Sequence, residues 1–259
     1  MKFFKVLGHI IIICFLTLLT QVGGLVWLVA ALLSVKLKKK MRYIFPILYL
    51  IFNLIIIPPV AKSFGREALP FLNSELKPRN LIYPILFRNY VNPDLKILLE
   101  TSSKKLKSKN IQITYLDANF PFLDGYPLLP HLSHNDGKKV DVSFMYLDEV
   151  GKSTNKKPSF SGYGTYLNEH TKTSEGCLNR GYWQYDFPKY LTFGTINDLE
   201  FDRNKTKALI QQLLASSKTE KIFIEPYLKQ TLGLSSENKI RFHGCQAVRH
   251  DDHIHLQIK

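Results

Sequence analysis

Thiols are scarce: three cysteines occur in 259 residues. Cys14 lies within an apolar run and reads as a small hydrophobe. Neither Cys177 nor Cys245 stands at a zinc-ligand spacing, which excludes a thiolate-built structural metal site. The two form an even pair that could close a disulfide in an oxidising compartment, stabilising the fold by about 4 kcal/mol in the chain-entropy model. Acidic residues are also few, 21 against 35 Lys and Arg, for a net charge of +14. Nucleic acid is not an expected partner, because no recognised motif or aromatic-interleaved basic stripe accompanies the charge. Anionic lipid or an anionic envelope polymer suits it better. No internal repeat is apparent.

Charge itself is missing from two stretches. No Asp, Glu, Lys or Arg occurs from Val6 to Val35 or from Tyr43 to Ala61. Each meets the roughly 18 to 20 residues that a helix needs to cross a bilayer. The short segment between them holds Lys36, Lys38, Lys39, Lys40 and Arg42. By the positive-inside tendency this loop is cytoplasmic, which would put the N-terminus and everything after Ala61 outside. A cleaved signal peptide is the competing reading of the first twenty residues, but the apolar run continues to Val35 without a small-x-small cleavage site. The expected plan is a hairpin of two transmembrane helices over 1–61, a tether over 62–80, where Pro70 and Pro78 occur, and an extracytoplasmic domain over 81–259. Its localisation is the membrane.

Asn92-Pro93-Asp94 starts a helix that continues from Leu95 to Lys107, and IQITYLDA from Ile111 alternates as a strand. NFPFLDGYPLL, Asn119 to Leu129, either lines the mouth of a site or covers the core. The Tyr- and Gly-rich run that ends near Tyr190 is long enough to be an excursion over a site. A helix over Lys205 to Ser216, a strand over Lys221 to Pro226, a short helix over Tyr227 to Leu232 and a brief strand over Lys239 to Phe242 follow. The fold expected is α+β, a small antiparallel sheet with flanking helices carrying a zinc site.

The chemistry gathers in two islands, PHLSHNDGKKVDVSFMY from Pro130 and HDDHIHLQIK at the end of the sequence. In HIHLQI, Ile254, Leu256 and Ile258 fall on one face of a strand and His253, His255 and Gln257 on the other. Val140, Val142 and Phe144 alternate with Asp141 in the same way. The Asn135-Asp136-Gly137 turn can bring His134 back beside Asp141. Two imidazoles and a carboxylate, His134, Asp141 and His255, leave a coordination position open, the pattern of a catalytic zinc site. His9, His170 and His243 read as surface or satisfied interior groups.

These islands resemble the zinc peptidases grouped with the penicillin-insensitive murein endopeptidases, the D-Ala-D-Ala carboxypeptidases and the hedgehog signalling domain. The shared features are a histidine, six residues and an aspartate, then a distal His-x-His whose second histidine binds zinc. They fall on His134, Asp141 and His255. The murein endopeptidase branch also resembles this chain in a histidine three residues before the first ligand, His131, and in the ending His250 to His255. The resemblance covers about thirty residues and implies a Zn2+-dependent peptidase acting on peptidoglycan stem peptides or cross-links; membrane lipid is the second partner expected from the basic charge and the apolar segments. The two membrane segments depart from the secreted members. For the assisting group, the carboxypeptidase branch implies Asp252 by position, whereas the murein endopeptidase branch points to His250 and His253. Strand parity favours His253. A zinc-stabilised binding domain without turnover, and a zinc hydrolase of a non-peptide bond, are the alternatives.

Overall fold

In the computed structural model, which describes residues 2–259, the apolar N-terminus folds into three helices rather than two. The first uncharged run divides into α1 (Lys2–Thr20) and α2 (Gly23–Leu37). Gln21 takes a left-handed backbone at φ 63°, and the Thr20 hydroxyl accepts the Gly23 N–H at 2.6 Å. Gly24 approaches α1 so closely that a Cβ there would lie 1.9 Å from the Thr17 hydroxyl oxygen, so only glycine fits the crossing. The two helices therefore pack as an antiparallel hairpin. After the basic loop, α3 (Met41–Ile51) continues through a π turn at Phe52–Ile56 into α4 (Ile57–Lys62). Pro58 and Pro59 remove two amide donors beside that widening.

Phe3–Thr20 and Met41–Lys62 are long and apolar enough to cross a membrane; α2, at 15 residues, is shorter. Because α1 and α2 are antiparallel, Lys5 lies at the same end of the bundle as the Lys36–Arg42 loop. The α1–α2 turn faces the domain, and the Lys5 end of α1 lies at the far end of the bundle rather than beside the domain. The Gln21 side-chain oxygen accepts the Phe122 N–H at 2.9 Å, and the Tyr126 hydroxyl donates to the Thr17 carbonyl at 2.6 Å.

Residues 62–80, expected as a tether, are structured. They hold β1 (Glu67–Ala68) and β2 (Leu76–Pro78), and β2 is an edge of the main sheet. Beyond them come α5 (Ile82–Ile85), β3 (Tyr90–Val91), α6 (Pro93–Leu106), β4 (Ile113–Tyr115), β5 (Lys139–Ser143), β6 (Tyr146–Leu147) and β7 (Ser153–Thr154). The rest of the chain adds α7 (Lys172–Asn179), β8 (Glu200–Phe201), α8 (Arg203–Leu214), β9 (Thr219–Phe223), α9 (Pro226–Thr231), β10 (Ile240–Arg241) and β11 (His253–Ile258). Asn92 caps α6, its side chain accepting the Asp94 N–H, as the sequence suggests.

The architecture is α+β. Six strands run in the order β10-β9-β11-β5-β4-β2. The centre is antiparallel as expected, but both edge pairs, β10 with β9 and β2 with β4, are parallel. Val140, Val142, Phe144, Ile254, Leu256 and Ile258 enter one buried core with Leu95, Leu98 and Leu99 of α6 and Leu209, Ile210 and Leu213 of α8. Fully burying each such side chain stabilises the fold by about 1.5–3 kcal/mol. A second core joins the apolar N-terminal helices to the domain: Val22, Val26, Ile57 and Ala61 cluster with Phe87, Tyr90, Phe120 and Leu128. The Asn119–Leu129 stretch thus docks the domain on the helices.

The three-helix arrangement predicts that Lys5→Cys and Lys39→Cys, each in a Cys14→Ser background, behave alike toward a membrane-impermeant maleimide in sealed vesicles. Val150→Cys should show the opposite accessibility. Opposite behaviour of Lys5→Cys and Lys39→Cys would mean that α1 does not run as placed here.

Candidate metal centre

The strand register places His255 directly across from Asp141, and His253 across from Ser143. Both histidines project from the face opposite the apolar core, as parity requires. His134 reaches them through the turn before β5. Lys138 N–H bonds the Asp136 side chain at 2.9 Å, Gly137 N–H bonds the Asn119 side chain at 3.0 Å, and Gly137 sits at φ 77°, where glycine is favoured.

Three donor atoms converge. His134 Nε2 lies 3.0 Å from His255 Nδ1 and 3.2 Å from Asp141 Oδ1, and His255 Nδ1 lies 2.9 Å from the same oxygen. A tetrahedral metal with ligand bonds of roughly 2.0–2.1 Å needs donor atoms about 3.3 Å apart, so little movement is required. The ring of His134 is held with the right nitrogen free: Nδ1 donates to the Ala118 carbonyl at 2.8 Å, which leaves a lone pair on Nε2. Burial pulls the pKa of His255 down to about 3, so this imidazole is neutral. Burial opposes ionisation of Asp141, but His134, His253 and His131 outweigh it and hold the carboxyl well below its usual range. Two imidazoles and a carboxylate, all buried, fit a metal ion.

The second oxygen of Asp141 serves other groups. It accepts the Tyr163 hydroxyl at 2.7 Å and lies 3.3 Å from His131 Nδ1 and 3.6 Å from His253 Nε2. His131 Nδ1 also bonds Asp117 Oδ2 at 3.0 Å, and Arg88 pairs with Asp117 Oδ1 at 2.7 Å. His131 is therefore brought into the site as expected. A second triad, His131, Asp141 and His253, is close enough to share a cation, with Asp141 common to both.

His253 and Asp252 are adjacent and hydrogen-bonded through His253 Nδ1; the other Asp252 oxygen accepts the Gly164 N–H. Asp252 is thus committed to positioning His253, and its carboxylate does not reach the donor atoms. Burial works against charging His253, yet Asp141 and Asp252 hold its pKa above the ordinary histidine value. His250 differs: burial and the neighbouring histidines hold its pKa well below that value. Beside the donor atoms lies a cavity of about 380 Å³, whose wall includes His131, His134, Gln184, His243, His250 and His255. His253 is fully buried and does not line it.

Three residues of this site are not singled out by the sequence. His243, expected as a surface or satisfied group, stacks on Phe223 with ring centroids 4.1 Å apart and lies 5.6 Å from His255. Burial lowers its pKa to about 4. Asp117 lies two residues past β4, and Tyr163 lies in the Tyr- and Gly-rich excursion; neither belongs to a motif, and only the fold brings them to Asp141. That excursion does reach the site, through Tyr163, Gly164 and Gln184. His170 is exposed, and His9 accepts the Trp27 N–H at 3.0 Å, so both stay outside the site. Cys177 and Cys245 are disulfide-bonded, tying α7 to the loop that carries His243 and His250.

The full-length protein should bind about one divalent metal ion per chain. His255→Ala should remove it from elemental analysis, whereas His243→Ala should retain it. Replacing both Cys177 and Cys245 by Ala should lower unfolding stability by about 4 kcal/mol, the chain-entropy figure for so long a loop. Compared with protein-family models and with curated proteins, the chain matches none.

Proposed function

We propose that the chain is a membrane-anchored, zinc-dependent peptidase that cleaves peptide bonds in the stem peptides or cross-links of peptidoglycan. The observation that carries this reading is the convergence of His134 Nε2, Asp141 Oδ1 and His255 Nδ1 beside an open cavity. Those residues stand in the order and spacing that resemble the murein endopeptidases. Zinc bound there supplies a Lewis acid and lowers the pKa of a water.

The protein's own groups supply the proton handling. His250 lines the cavity, is held neutral, and has its ring 4.8 Å from His253 and 5.5 Å from His255. It is the residue placed to take a proton from an attacking water and return it to the leaving amine. Its backbone is fixed on both sides, with N–H to the Glu225 carboxyl at 3.3 Å and the carbonyl accepting the Glu225 N–H at 3.0 Å. His253, favoured by parity alone, lies behind the donor atoms, where its ring balances the charge of Asp141. Asp252 orients that ring. His131, held by Asp117, closes the other side of the carboxylate.

Orientation follows from charge. Lys5 and the five basic residues from Lys36 to Arg42 gather at the end of the helical bundle remote from the domain. The positive-inside tendency assigns that end to the cytoplasm and the domain to the extracytoplasmic side. A disulfide in the domain accords with an oxidising compartment. A basic chain beside a membrane suits the anionic polymer proposed as its substrate.

The test is mass spectrometry of muropeptides released from purified peptidoglycan by the full-length protein in nanodiscs, with and without chelator. New peptide termini that vanish with chelator are expected. His250→Ala should retain metal while cleavage falls about 100-fold or more, the scale for losing a positioned acid or base. Retained polymer binding with no bond cut by the metal-loaded wild type would leave a binding domain instead. Cleavage of a non-peptide bond would replace the reaction class.

A further inference from the structure

The segment Leu81–Phe87, which includes α5, contains no charged side chain and lies against the Met41–Lys62 helix. The contact is specific. Asn53, a polar residue within that apolar helix, donates through Nδ2 to the Pro84 carbonyl at 2.9 Å and the Ile85 carbonyl at 3.3 Å. Tyr49, one turn earlier, donates its hydroxyl to the Ile85 carbonyl at 2.8 Å. These bonds fix the depth of Leu81–Phe87 along the helix.

Depth decides the environment. At 1.5 Å per residue, the helix rises only about 16 Å between Arg42 and Asn53. A hydrocarbon core is about 30 Å thick, and tilt would shorten the rise further. If Arg42 marks one boundary, Pro84 and Ile85 lie well inside the other. The surface there is apolar: Leu72 is 86% exposed, Leu81 55% and Ile85 50%.

Backbone in lipid must also be satisfied internally. From Ile82 to Arg88 every amide N–H has a partner, and the groups of Leu81–Phe87 left without one are the Leu81 N–H and the Leu86 and Phe87 carbonyls at its two ends. Ile82 N–H bonds the Asn80 side chain, and Tyr83 N–H bonds the Asn80 carbonyl. Ile85, Leu86, Phe87 and Arg88 donate to Leu81, Ile82, Pro84 and Tyr83. Pro84 has no N–H to satisfy, and its carbonyl and that of Ile85 are taken by Asn53 and Tyr49. The first charged group after this segment, the Arg88 guanidinium, turns away to Asp117 and the Leu129 carbonyl.

We propose that Leu81–Phe87, with Leu72 beside it, is embedded in the acyl chains of the leaflet on the domain side, so that the domain sits in the membrane rather than above it. This rests on the reading that Met41–Lys62 crosses a bilayer. The occupant of the apolar surface is phospholipid acyl chain, because the surface continues the lipid-facing side of that helix. Embedding also fixes the site near the membrane: Arg88, which pairs with the Asp117 that holds His131, directly follows the embedded segment.

The test uses the wild-type, full-length chain in nanodiscs containing a phospholipid with a diazirine deep in its acyl chain. After photolysis, mass spectrometry should find lipid adducts on residues 72–87 as well as on residues 2–62. Adducts confined to 2–62 would overturn the proposal and leave the membrane span intact. Adducts on neither would overturn both. As a second measurement, spin labels on Leu81→Cys and Ile47→Cys in a Cys14→Ser background should each collide more with oxygen than with a water-soluble nickel chelate, and a label on Val150→Cys the reverse. A chelate-accessible Leu81 label beside an oxygen-accessible Ile47 label would again reject embedding alone.

Discussion

The pairing of β5 with β11 is the constraint on which the rest depends. Antiparallel register sets Asp141 across from His255, and the two-residue period of a strand sends both to one face while Val140, Val142, Ile254 and Leu256 go to the other. A slip of β11 by one residue would turn Ile254 and Leu256 into the polar site and His253 and His255 into the apolar core. The hydrophobic core therefore holds the donor geometry in place. Removing buried aliphatic groups from either strand would cost about 2–5 kcal/mol for a Leu-to-Ala change.

Around that pair the fold adds layers that a metal site needs. His134 is fixed by the Ala118 carbonyl, His131 by Asp117, and His253 by Asp252, each through Nδ1. Such partners fix ring orientation and leave the other nitrogen free. Asp141 divides its two oxygens between the His134–His255 corner and the Tyr163–His131–His253 corner. A single carboxylate thus joins His134, His255, Tyr163, His131 and His253, and its low pKa reflects the imidazoles around it.

The apolar N-terminal helices and the site are mechanically continuous. Leu128 packs in the same core as Val22, Val26, Ile57 and Ala61, three residues before His131. Tyr126 and Phe122 bond the α1–α2 turn. Motion between bundle and domain would break a shared apolar core and these hydrogen bonds, so the domain is held in place on the helical bundle. With a flexible tether it would sweep a volume instead.

Local sequence determined the elements whose physics is local. The period of two in HIHLQI and VDVSF gave the site strands and their faces, Asn92-Pro93-Asp94 gave the start of α6, and the uncharged runs gave helices of membrane character. The His134, Asp141 and His255 cluster was legible because strand parity and a short turn suffice to bring those residues together. Tertiary structure decided what depends on distant chain. The break at Gln21 requires glycines packed against α1, β1 and β2 within residues 62–80 form only through pairing with β3 and β4, and parallel edges need crossovers that no local pattern encodes. His243, Asp117 and Tyr163 reach the site along three separate segments, and His250 lines the cavity from the loop that the Cys177–Cys245 disulfide ties to α7. Side-chain periodicity is written in neighbouring residues, whereas proximity across the fold is set by packing between segments far apart in the chain.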